Sequence, residues 1–303
     1  MSNSDEDILY HLGITSKTYD FKKVLGDIKF VCTGGSVKRI ENFAKCLLER
    51  LPINSPFGVQ PKNLCQSDRF VMYKVGPVLC VNHGIGFGSL SIMLNEVFKL
   101  LRYAGCTDVT FFRVGTSGGI GMRFKRKSSS AGSPGGTLVI TKTAVDGLLQ
   151  ESYEAVLKQY YYVVLVLGKS IRYPTVLNEA VSEELKKIAE ELGFNVVTGK
   201  TLSANDFYEG EARLDGALCS YTEEEKMQFI QKAYALGVRN MEMEATCFAA
   251  MCLRAHFKAA VICVALLDRL KEDQLTTPPE ELRQWEARPM EVVLQYICRH
   301  IDD

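Results

Sequence analysis

The sequence predicts a single-domain α/β protein, and three observations lead to that fold class. Short apolar runs rich in β-branched residues alternate with stretches of helical periodicity through most of the 303 residues. Apolar residues make up 47% of the chain and charged residues 24%, the usual balance of a folded globular protein. Nothing resembling a linker divides the chain, so we predict one domain over 1–303, with a flexible loop insertion at 122–136.

The elements follow from local patterns, taken in chain order. Strands are predicted where short apolar and β-branched runs occur: 28–32, 69–81 with a break at Gly76-Pro77, 109–114, 137–143, 161–167, 196–203 and 259–267. Helices are predicted where apolar residues recur at helical spacing: 40–51, 89–103, 177–192, 222–236, 245–255 and a C-terminal segment.

Two glycine-rich segments interrupt this alternation. Gly34-Gly35-Ser36 turns the chain from the first strand into the first helix, and 115–121 follows the strand at 109–114. The second segment holds too many glycines for a packing motif alone. The basic and then Ser-, Gly- and Pro-rich stretch at 122–136 has almost nothing to bury and predicts a mobile loop.

The composition argues against several classes of function. The 36 basic and 36 acidic side chains cancel, so no net positive field favours a nucleic acid. The acidic start does not resemble a signal peptide, and no apolar run is long enough to span a bilayer. The ten cysteines form no CxxC pair and are typical of buried thiols in a reducing compartment. We expect a cytoplasmic protein with no nucleic-acid or membrane partner.

Two segments have the chemistry of an oxyanion site, in which helix N-terminal amides and an arginine converge. One is 34–39, with small residues at the turn and Arg39 in the first helical turn; the other is 113–116, with Arg113, a glycine and a hydroxyl at a predicted strand end. Neither is a Walker A or GxGxxG motif. Tight turns without a ligand are an equal alternative for both.

Two further clusters of residues are candidates for binding a sugar and a base. Glu242-Met243-Glu244 opens an apolar helix, and buried carboxylates need partners such as ribose hydroxyls, although a charged helix start is the simpler explanation. The segment 206–213 places aromatic and polar groups in one loop, a weak signal for base recognition. His11 is a functional candidate, whereas His83, His256 and His300 are interpreted as structural or surface residues.

Together these segments resemble uridine phosphorylases of the nucleoside phosphorylase I superfamily, of the animal type. The resemblance extends over nearly the whole chain through segments that occur in the same order: HLGIT, FVCTGGSVKR, SDRFVMYKVGPVL, RVGTSGGIG, DFYEG, RLDGALCSYTEEEK, VRNMEMEA and FAAMC. It implies an α/β/α sandwich around a mixed, partly barrel-like sheet. It also implies reversible phosphorolysis of uridine, or of other pyrimidine nucleosides, to base and ribose 1-phosphate in pyrimidine salvage.

The resemblance implies a role for individual residues in a site shared across a homodimer. Phosphate would be held by Gly35, Arg39, Arg113 and Thr116, with Arg69 from the neighbouring subunit. Ribose would contact Glu242, Met243 and Glu244, with His11 from the neighbour. The base would contact Phe207, Arg213 and Arg269. Arg113, Glu244, Arg213 and Arg269 would be the catalytic residues, with inorganic phosphate as co-substrate and neither metal nor cofactor.

One departure bears directly on the chemistry. The family normally places a glutamine that pairs with uracil where this chain has Glu211. An ionised carboxylate would repel the uracil O2 by about 4 kcal/mol at about 4 Å in an effective dielectric of about 20. A protonated Glu211 would mimic the glutamine amide, because it offers one acceptor and one O–H donor. A second departure is the loop at 122–136, which is longer than in the family.

Two alternatives therefore stand beside an active uridine phosphorylase. The first is a catalytically impaired or base-specificity-altered paralogue, favoured by Glu211 and by the long loop. The second, a dinucleotide-dependent oxidoreductase, is weaker because the chain lacks the glycine fingerprint of that class.

Overall fold

The computed structural model describes residues 6–17, 20–52, 60–121, 136–149 and 160–302. Within these ranges the chain has the predicted α/β fold. Its strands are β1 (Ile8–Leu9), β2 (Ile14–Thr15), β3 (Phe30–Gly34), β4 (Met72–Val75), β5 (Val78–Asn82), β6 (Thr110–Gly119), β7 (Leu138–Asp146), β8 (Tyr161–Val166), β9 (Lys169–Pro174), β10 (Val196–Ser203), β11 (Val238–Glu242) and β12 (Lys258–Asp268).

The helices occupy the intervals between these strands. They are α1 (Phe21–Leu25), α2 (Val37–Arg50), α3 (Gly86–Ala104), α4 (Glu179–Glu191), α5 (Glu223–Ala235), α6 (Ala245–Arg254) and α7 (Pro279–His300). Side-chain caps define several starts: Ser36 accepts from the Arg39 N–H, Asn178 from the Val181 N–H, and Thr222 forms a capping box with Glu225.

Eight strands form a mixed sheet that is partly closed into a barrel, as the family resemblance implied. The strand order is β11-β10-β7-β12-β6-β3-β5-β4, and β11 also pairs with β6. The first five strands therefore close on themselves, while β3, β5 and β4 extend the sheet as an open wing. The closing β11–β6 pair is antiparallel, whereas β12–β6, β3–β6 and β3–β5 are parallel.

A buried belt of hydrogen bonds links all five strands of the closed part. Thr141 of β7 donates to Thr201 of β10 (2.6 Å), and Thr201 donates to Asn240 of β11 (2.7 Å). Asn240 donates to Ser117 of β6 (3.0 Å), whose hydroxyl donates to the carbonyl of Val264 in β12 (3.3 Å). The belt satisfies these polar groups away from water and links the strands in the order β7, β10, β11, β6 and β12.

The sheet buries both of its faces. Because side chains alternate along a strand, Val31 of β3 packs into a core with α3 and α6, whereas Phe30 and Cys32 pack into a second core with α2, α4 and α7. This double burial explains why the central strands read as continuous apolar runs.

The structure corrects some expectations about the elements. The glycine-rich segment 115–121 was expected to begin at a strand end, but β6 continues to Gly119 because β12 pairs with it through this segment. Glu242 ends strand β11 and does not open a helix. Five further elements were not predicted from the sequence: β1, β2, β9, β11 and α1. Residues 122–135 of the predicted loop lie outside the described residues.

No helix in the described ranges is long and apolar enough to cross a lipid bilayer.

Candidate active site

A cavity of ≈ 340 Å³ lies at the carboxyl ends of β3, β5, β11 and β12, beside the second half of β6. Ligands commonly bind at this edge of an α/β sheet. Most of the predicted site residues line it: Gly35, Arg39, Arg113, Thr116, Phe207, Glu211, Arg213, Glu242, Met243 and Glu244. The remaining three, His11, Arg69 and Arg269, do not.

One end of the cavity is formed by the turn from β3 into α2. A side chain at Gly35 would place its Cβ 2.8 Å from the carbonyl oxygen of Gly84, so only glycine allows this close approach. The turn leads directly into the N-terminus of α2, with Arg39 in its first turn. The Arg39 guanidinium lies 3.7 Å from Glu286 of α7. Helix amides and a guanidinium together form a site suited to an oxyanion.

Arg113 is fully buried within β6 and lies at the centre of the cavity wall. Its guanidinium pairs with Glu242 at 2.8 Å and with Glu244 at a shorter distance, and it also donates to the Cys263 thiol at 3.2 Å. Burial opposes the charge of Arg113, but the two carboxylates raise its pKa above the ordinary arginine value. The group is therefore a permanent cation that keeps two carboxylates beside it.

The two carboxylates differ in their environment. Glu242 accepts from the backbone N–H groups of Glu244 and Ala245, both at 3.0 Å, and burial raises its pKa despite the nearby Arg113. Glu244 is buried too, but the Arg113 side chain and the Gly86 N–H together lower its pKa. Glu244 is therefore the more acidic member of the pair, with lone pairs available to hydroxyl groups of a ligand.

The opposite end of the cavity is built from loops. Glu211 is 4% exposed, and burial raises its pKa to about 7, although Arg269 at 3.3 Å acts in the other direction. Phe207 lies beside it and is half-exposed, while Leu267 adds an apolar wall. An aromatic ring next to a carboxyl that is neutral for part of the physiological pH range suits a flat heterocycle with adjacent N–H and C=O groups.

Arg213 lies between the aromatic ring and two aspartates. Its guanidinium carbon is 4.4 Å from the centre of the Phe207 ring, and its Nε and Nη2 atoms donate to Asp215 at 2.9 Å each. The Asp273 carbonyl accepts from the same Nη2. One face of Phe207 is therefore covered by a cation.

The structure places Arg269 behind Glu211, away from the cavity surface. It is completely buried and donates to the Glu211 carboxylate at 3.3 Å, to the Glu211 carbonyl at 2.8 Å and to Asp273 at 3.0 Å. Its side chain packs over Gly118, where an added Cβ would lie 2.7 Å from the Arg269 Cγ. A direct contact between Arg269 and a base stays a prediction, since in this structure its donors are directed to the protein.

His11 and Arg69 lie near each other on the outside of the molecule. The His11 ring pairs with Glu96 at 2.7 Å, the Ser67 hydroxyl donates to the His11 carbonyl, and the exposed Arg69 follows two residues later. Neither reaches the cavity of its own chain. Their roles in a neighbouring subunit's site stay predictions.

Sequence reasoning missed three residues at or near the site. His83 was interpreted as a structural or surface residue, yet it lines the cavity; Glu286 faces Arg39, and Asp273 accepts from both Arg269 and Lys226. Only His83, beside the glycine after β5, gave any signal in the sequence, because the other two residues lie in ordinary charged segments.

Within the described residues, no cluster of three or more His, Cys, Asp or Glu side chains could hold a metal ion.

The fold and the cavity together define an α/β protein in which arginines suited to an oxyanion lie in the same cavity as carboxylates suited to hydroxyl groups and a loop-built aromatic end. Comparison with known proteins makes this class more specific. The family model described as the phosphorylase superfamily matches residues 29–298. The chain is 43% identical over 298 residues to uridine phosphorylase 1 of Mus musculus, covering 98% of this chain and 89% of the mouse protein.

Other relatives agree. The chain is 45% identical over 291 residues to the uridine and thymidine phosphorylase of Caenorhabditis elegans, covering 96% of this chain and 90% of that protein. It is 39% identical over 303 residues to the inactive uridine phosphorylase B of Schistosoma mansoni, covering 99% and 94%. The crystal structure of uridine phosphorylase from Schistosoma mansoni with uracil superimposes with a TM-score of 0.87 at 40% identity, covering 98% of this chain and 96% of that one. The chain therefore belongs to the uridine phosphorylase family within the phosphorylase superfamily.

Proposed function

We propose that this protein catalyses the reversible phosphorolysis of uridine to uracil and ribose 1-phosphate, a reaction of pyrimidine salvage. One observation carries the proposal. A single cavity is lined by Arg39 and Arg113, by Glu244, whose pKa is lowered, and by Phe207 and Glu211, which supports phosphate, ribose and base as its ligands. Relatives of this chain are named for the same reaction. The uridine phosphorylase of Schistosoma mansoni has been crystallised with uracil, thymine and thymidine.

The geometry suggests how each end would act. Gly35, Arg39, Arg113 and Thr116 would hold inorganic phosphate, and Arg69 of a neighbouring subunit would add a further guanidinium. Glu244, with Glu242 and Met243 beside it, would fix the ribose hydroxyls so that a phosphate oxygen faces C1′ in line with the departing base. Phosphate attacks C1′ directly as the bond to N1 of the base breaks, so we propose neither a covalent enzyme intermediate nor a metal or organic cofactor.

The base end would stabilise the departing uracil anion. In its protonated form, Glu211 would accept from the N3–H of uracil with its carbonyl oxygen and donate its O–H to O2. Arg213 and Arg269 would add positive charge on this side, where negative charge develops as the bond breaks. Since burial raises the pKa of Glu211 to about 7, the neutral form is well populated at and below neutral pH.

The first experiment is phosphate-dependent release of base from uridine, thymidine and cytidine. The expected result is release of uracil with consumption of an equal amount of phosphate and no release when phosphate is omitted. Release of base without phosphate would indicate a hydrolase, and inertness of both the natural chain and a Glu211→Gln variant would contradict the proposed function.

The impaired-paralogue alternative has less support. Every predicted phosphate and ribose residue that this chain supplies from within lines the cavity, and the pKa of Glu211 allows a neutral carboxyl. Recovery of turnover only in Glu211→Gln would favour this alternative, because it would place the defect at the base site.

We also propose that the protein works as a cytoplasmic homodimer in which His11 and Arg69 complete the site of the neighbouring subunit. Their side-by-side position outside their own cavity supports this arrangement. Arg69→Ala and Arg113→Ala should each be inactive alone, whereas a mixture refolded together should regain part of the activity, since one hybrid site has both arginines. A mixture that stays inactive although hybrids form would contradict the shared site.

A further inference from the structure

His83 is the one histidine that lines the cavity among the described residues. It follows the last residue of β5, and its N–H donates to the carbonyl of Gly34 at 2.9 Å, which ties it to the end of β3. Gly84, with a φ of 71°, then turns the chain toward α3. These backbone contacts fix the imidazole at the junction of two parallel strands, where it is 1% exposed.

Neither ring nitrogen of His83 makes a hydrogen bond of good geometry within the described part of the chain, although the Gly84 backbone lies close enough to the ring to favour its protonated form slightly. Burial of an unsatisfied polar group costs free energy, and most buried side-chain polar atoms in proteins have a partner. By contrast, His11 and His300 each pair with a glutamate, Glu96 and Glu184 respectively. A buried ring with two unpaired nitrogens, located on a cavity wall, therefore points to a ligand.

The neighbours of His83 indicate which ligand group it meets. A Cβ placed on Gly35 would lie 3.8 Å from the His83 Cε1 atom, and Arg39 and Arg113 both act electrostatically on the ring, as does Glu244. Three of these four neighbours are proposed phosphate residues. The ring therefore lies beside the proposed anion site.

The charge state of the ring is set by the same surroundings. Burial is the largest effect, and Arg113 and Arg39 add to it, so the pKa of His83 falls to about 4 although Glu244 acts in the opposite direction. The imidazole is therefore neutral at physiological pH and offers one N–H donor and one acceptor.

We propose that His83 is a further phosphate-binding residue, whose neutral imidazole donates one N–H to an oxygen of inorganic phosphate held by Gly35, Arg39 and Arg113. The proposal rests on the proposed function in one respect, the choice of phosphate as the anion. A neutral donor adds a hydrogen bond to the anion without adding a third positive charge that would have to be buried beside two guanidinium groups.

The test is the binding of inorganic phosphate alone, measured by titration calorimetry. His83→Leu removes the donor and should weaken phosphate binding about tenfold or more, the usual effect of losing a hydrogen bond to a charged group. His83→Gln keeps an amide N–H and should recover most of that affinity. His300→Leu, whose ring lies outside the cavity, is the matched control and should bind phosphate like the natural chain. Uridine affinity without phosphate should be unchanged in all three variants.

A second measurement uses the natural chain and does not depend on how a variant folds. The sequence has 4 histidines, so the ring ¹⁵N signals of a histidine-labelled sample are few enough to assign, and His83→Gln identifies the pair that belongs to His83. Addition of phosphate should shift those two signals and leave the His256 and His300 signals in place.

The outcomes separate this proposal from the proposed function. If phosphate binds and shifts the His83 signals while no nucleoside is cleaved, the proposed function fails and the role of His83 stands. If uridine is cleaved but the His83 signals do not move and His83→Leu binds phosphate normally, the role of His83 is overturned. A loss of uridine affinity with phosphate binding intact would assign the ring to the ribose and overturn it as well, and so would absence of phosphate binding to the natural chain.

Discussion

The two ends of the cavity are built in different ways. The phosphate end is formed by residues within or directly after strands of one sheet, and its central cation, Arg113, is paired with Glu242 and Glu244. The base end is formed by the loop between β10 and α5 and by the segment after β12, and its central group, Glu211, is a carboxyl with a pKa of about 7. One end therefore has at its centre a cation of fixed charge on a strand of the sheet, whereas the other changes its charge near neutral pH.

This difference separates affinity for the anion from recognition of the base. A strand-built site with balanced charges keeps its geometry and its charge over a wide range of pH. A loop-built site with a titrating carboxyl can change its preference with pH or with one substitution, because a carboxyl donates a hydrogen bond only when it is protonated. Changes at the two ends should therefore have distinct kinetic signatures.

The largest effect is expected at the fixed-charge end. Arg113→Met removes the only guanidinium paired with Glu242 and Glu244 in the described structure, so it should lower kcat/KM by a factor on the order of 10³ and destabilise the fold by about 3–5 kcal/mol. Arg299→Met, which breaks only the surface pair with Glu191, should change neither quantity measurably. Steady-state kinetics and chemical denaturation measure both. Near-normal stability in Arg113→Met would show that the two carboxylates do not depend on this cation.

The next effect concerns the titrating end. The pKa of Glu211 is about 7 in the folded protein against an ordinary value of 4.5, so the folded state retains the proton over this interval. The contribution to the free energy of unfolding is complete below about pH 4.5 and is lost as pH rises through 7, a fall of about 3 kcal/mol. Glu211→Gln cannot titrate at this position. From pH 4.5 to pH 8 the natural chain should therefore lose about 3 kcal/mol in free energy of unfolding relative to Glu211→Gln.

Uridine cleavage should show the same titration. Above pH 7 the neutral form of Glu211 becomes scarce, so at pH 8 the natural chain should be about tenfold less active than at acidic pH when each rate is divided by that of Glu211→Gln. Division by the variant removes the ionisation of phosphate itself from the comparison. A ratio that stays constant from pH 5 to 8 would show that the protonation of Glu211 does not control base recognition.

A smaller effect is expected for the aspartate that holds the base end together. Asp273 accepts from Arg269 at 3.0 Å and from Lys226 at 2.8 Å, and its carbonyl accepts from Arg213. Asp273→Asn weakens two of these charge-assisted contacts, so the KM for uridine should rise about tenfold while the KM for phosphate is unchanged. Asp108→Asn, which affects an exposed pair with Lys258, is the control. A rise in both KM values would point to general loosening of the fold.

The smallest effect tests the pair beside the phosphate end. The Glu286 carboxylate lies 3.7 Å from Arg39 and is partly exposed, so it competes weakly with phosphate for that guanidinium. Glu286→Gln should lower the KM for phosphate by a factor of about two to three and leave the KM for uridine alone. An increase in the phosphate KM would show instead that Glu286 holds Arg39 in place for the anion.

The sequence predicted the fixed-charge end better than the titrating end. The turn at Gly35 and the arginines at 39 and 113 lie in short segments whose spacing is set locally, by a strand, a glycine turn and a helix start. The orientation of Arg269 is not local, because it depends on the space above Gly118 and on the distant Asp273. The substitution at Glu211 was visible in the sequence, but its pKa depends on burial that only the fold supplies.

The fold shows the same division. Alternating strands and helices were predicted because hydrophobic periodicity is a local property. The extension of β6 to Gly119 and the short strand β11 were missed because long-range pairing, with β12 and with each other, makes these segments strands. His83 was interpreted as a structural or surface residue for the same reason, because a sequence does not show whether a buried ring has hydrogen-bond partners.

The closure of the barrel also has a consequence for the order in which the protein becomes active. β11 and β6 pair through only two residue pairs, Asn240 with Gly119 and Met241 with Gly118, and this seam brings Glu244 to Arg113, 131 residues away in the chain. Contacts of such long range form late, because a large loop must close before they contribute. We therefore expect the cavity to be among the last features to assemble during refolding, so that a collapsed chain with an open seam would lack the pairing of Glu244 with Arg113.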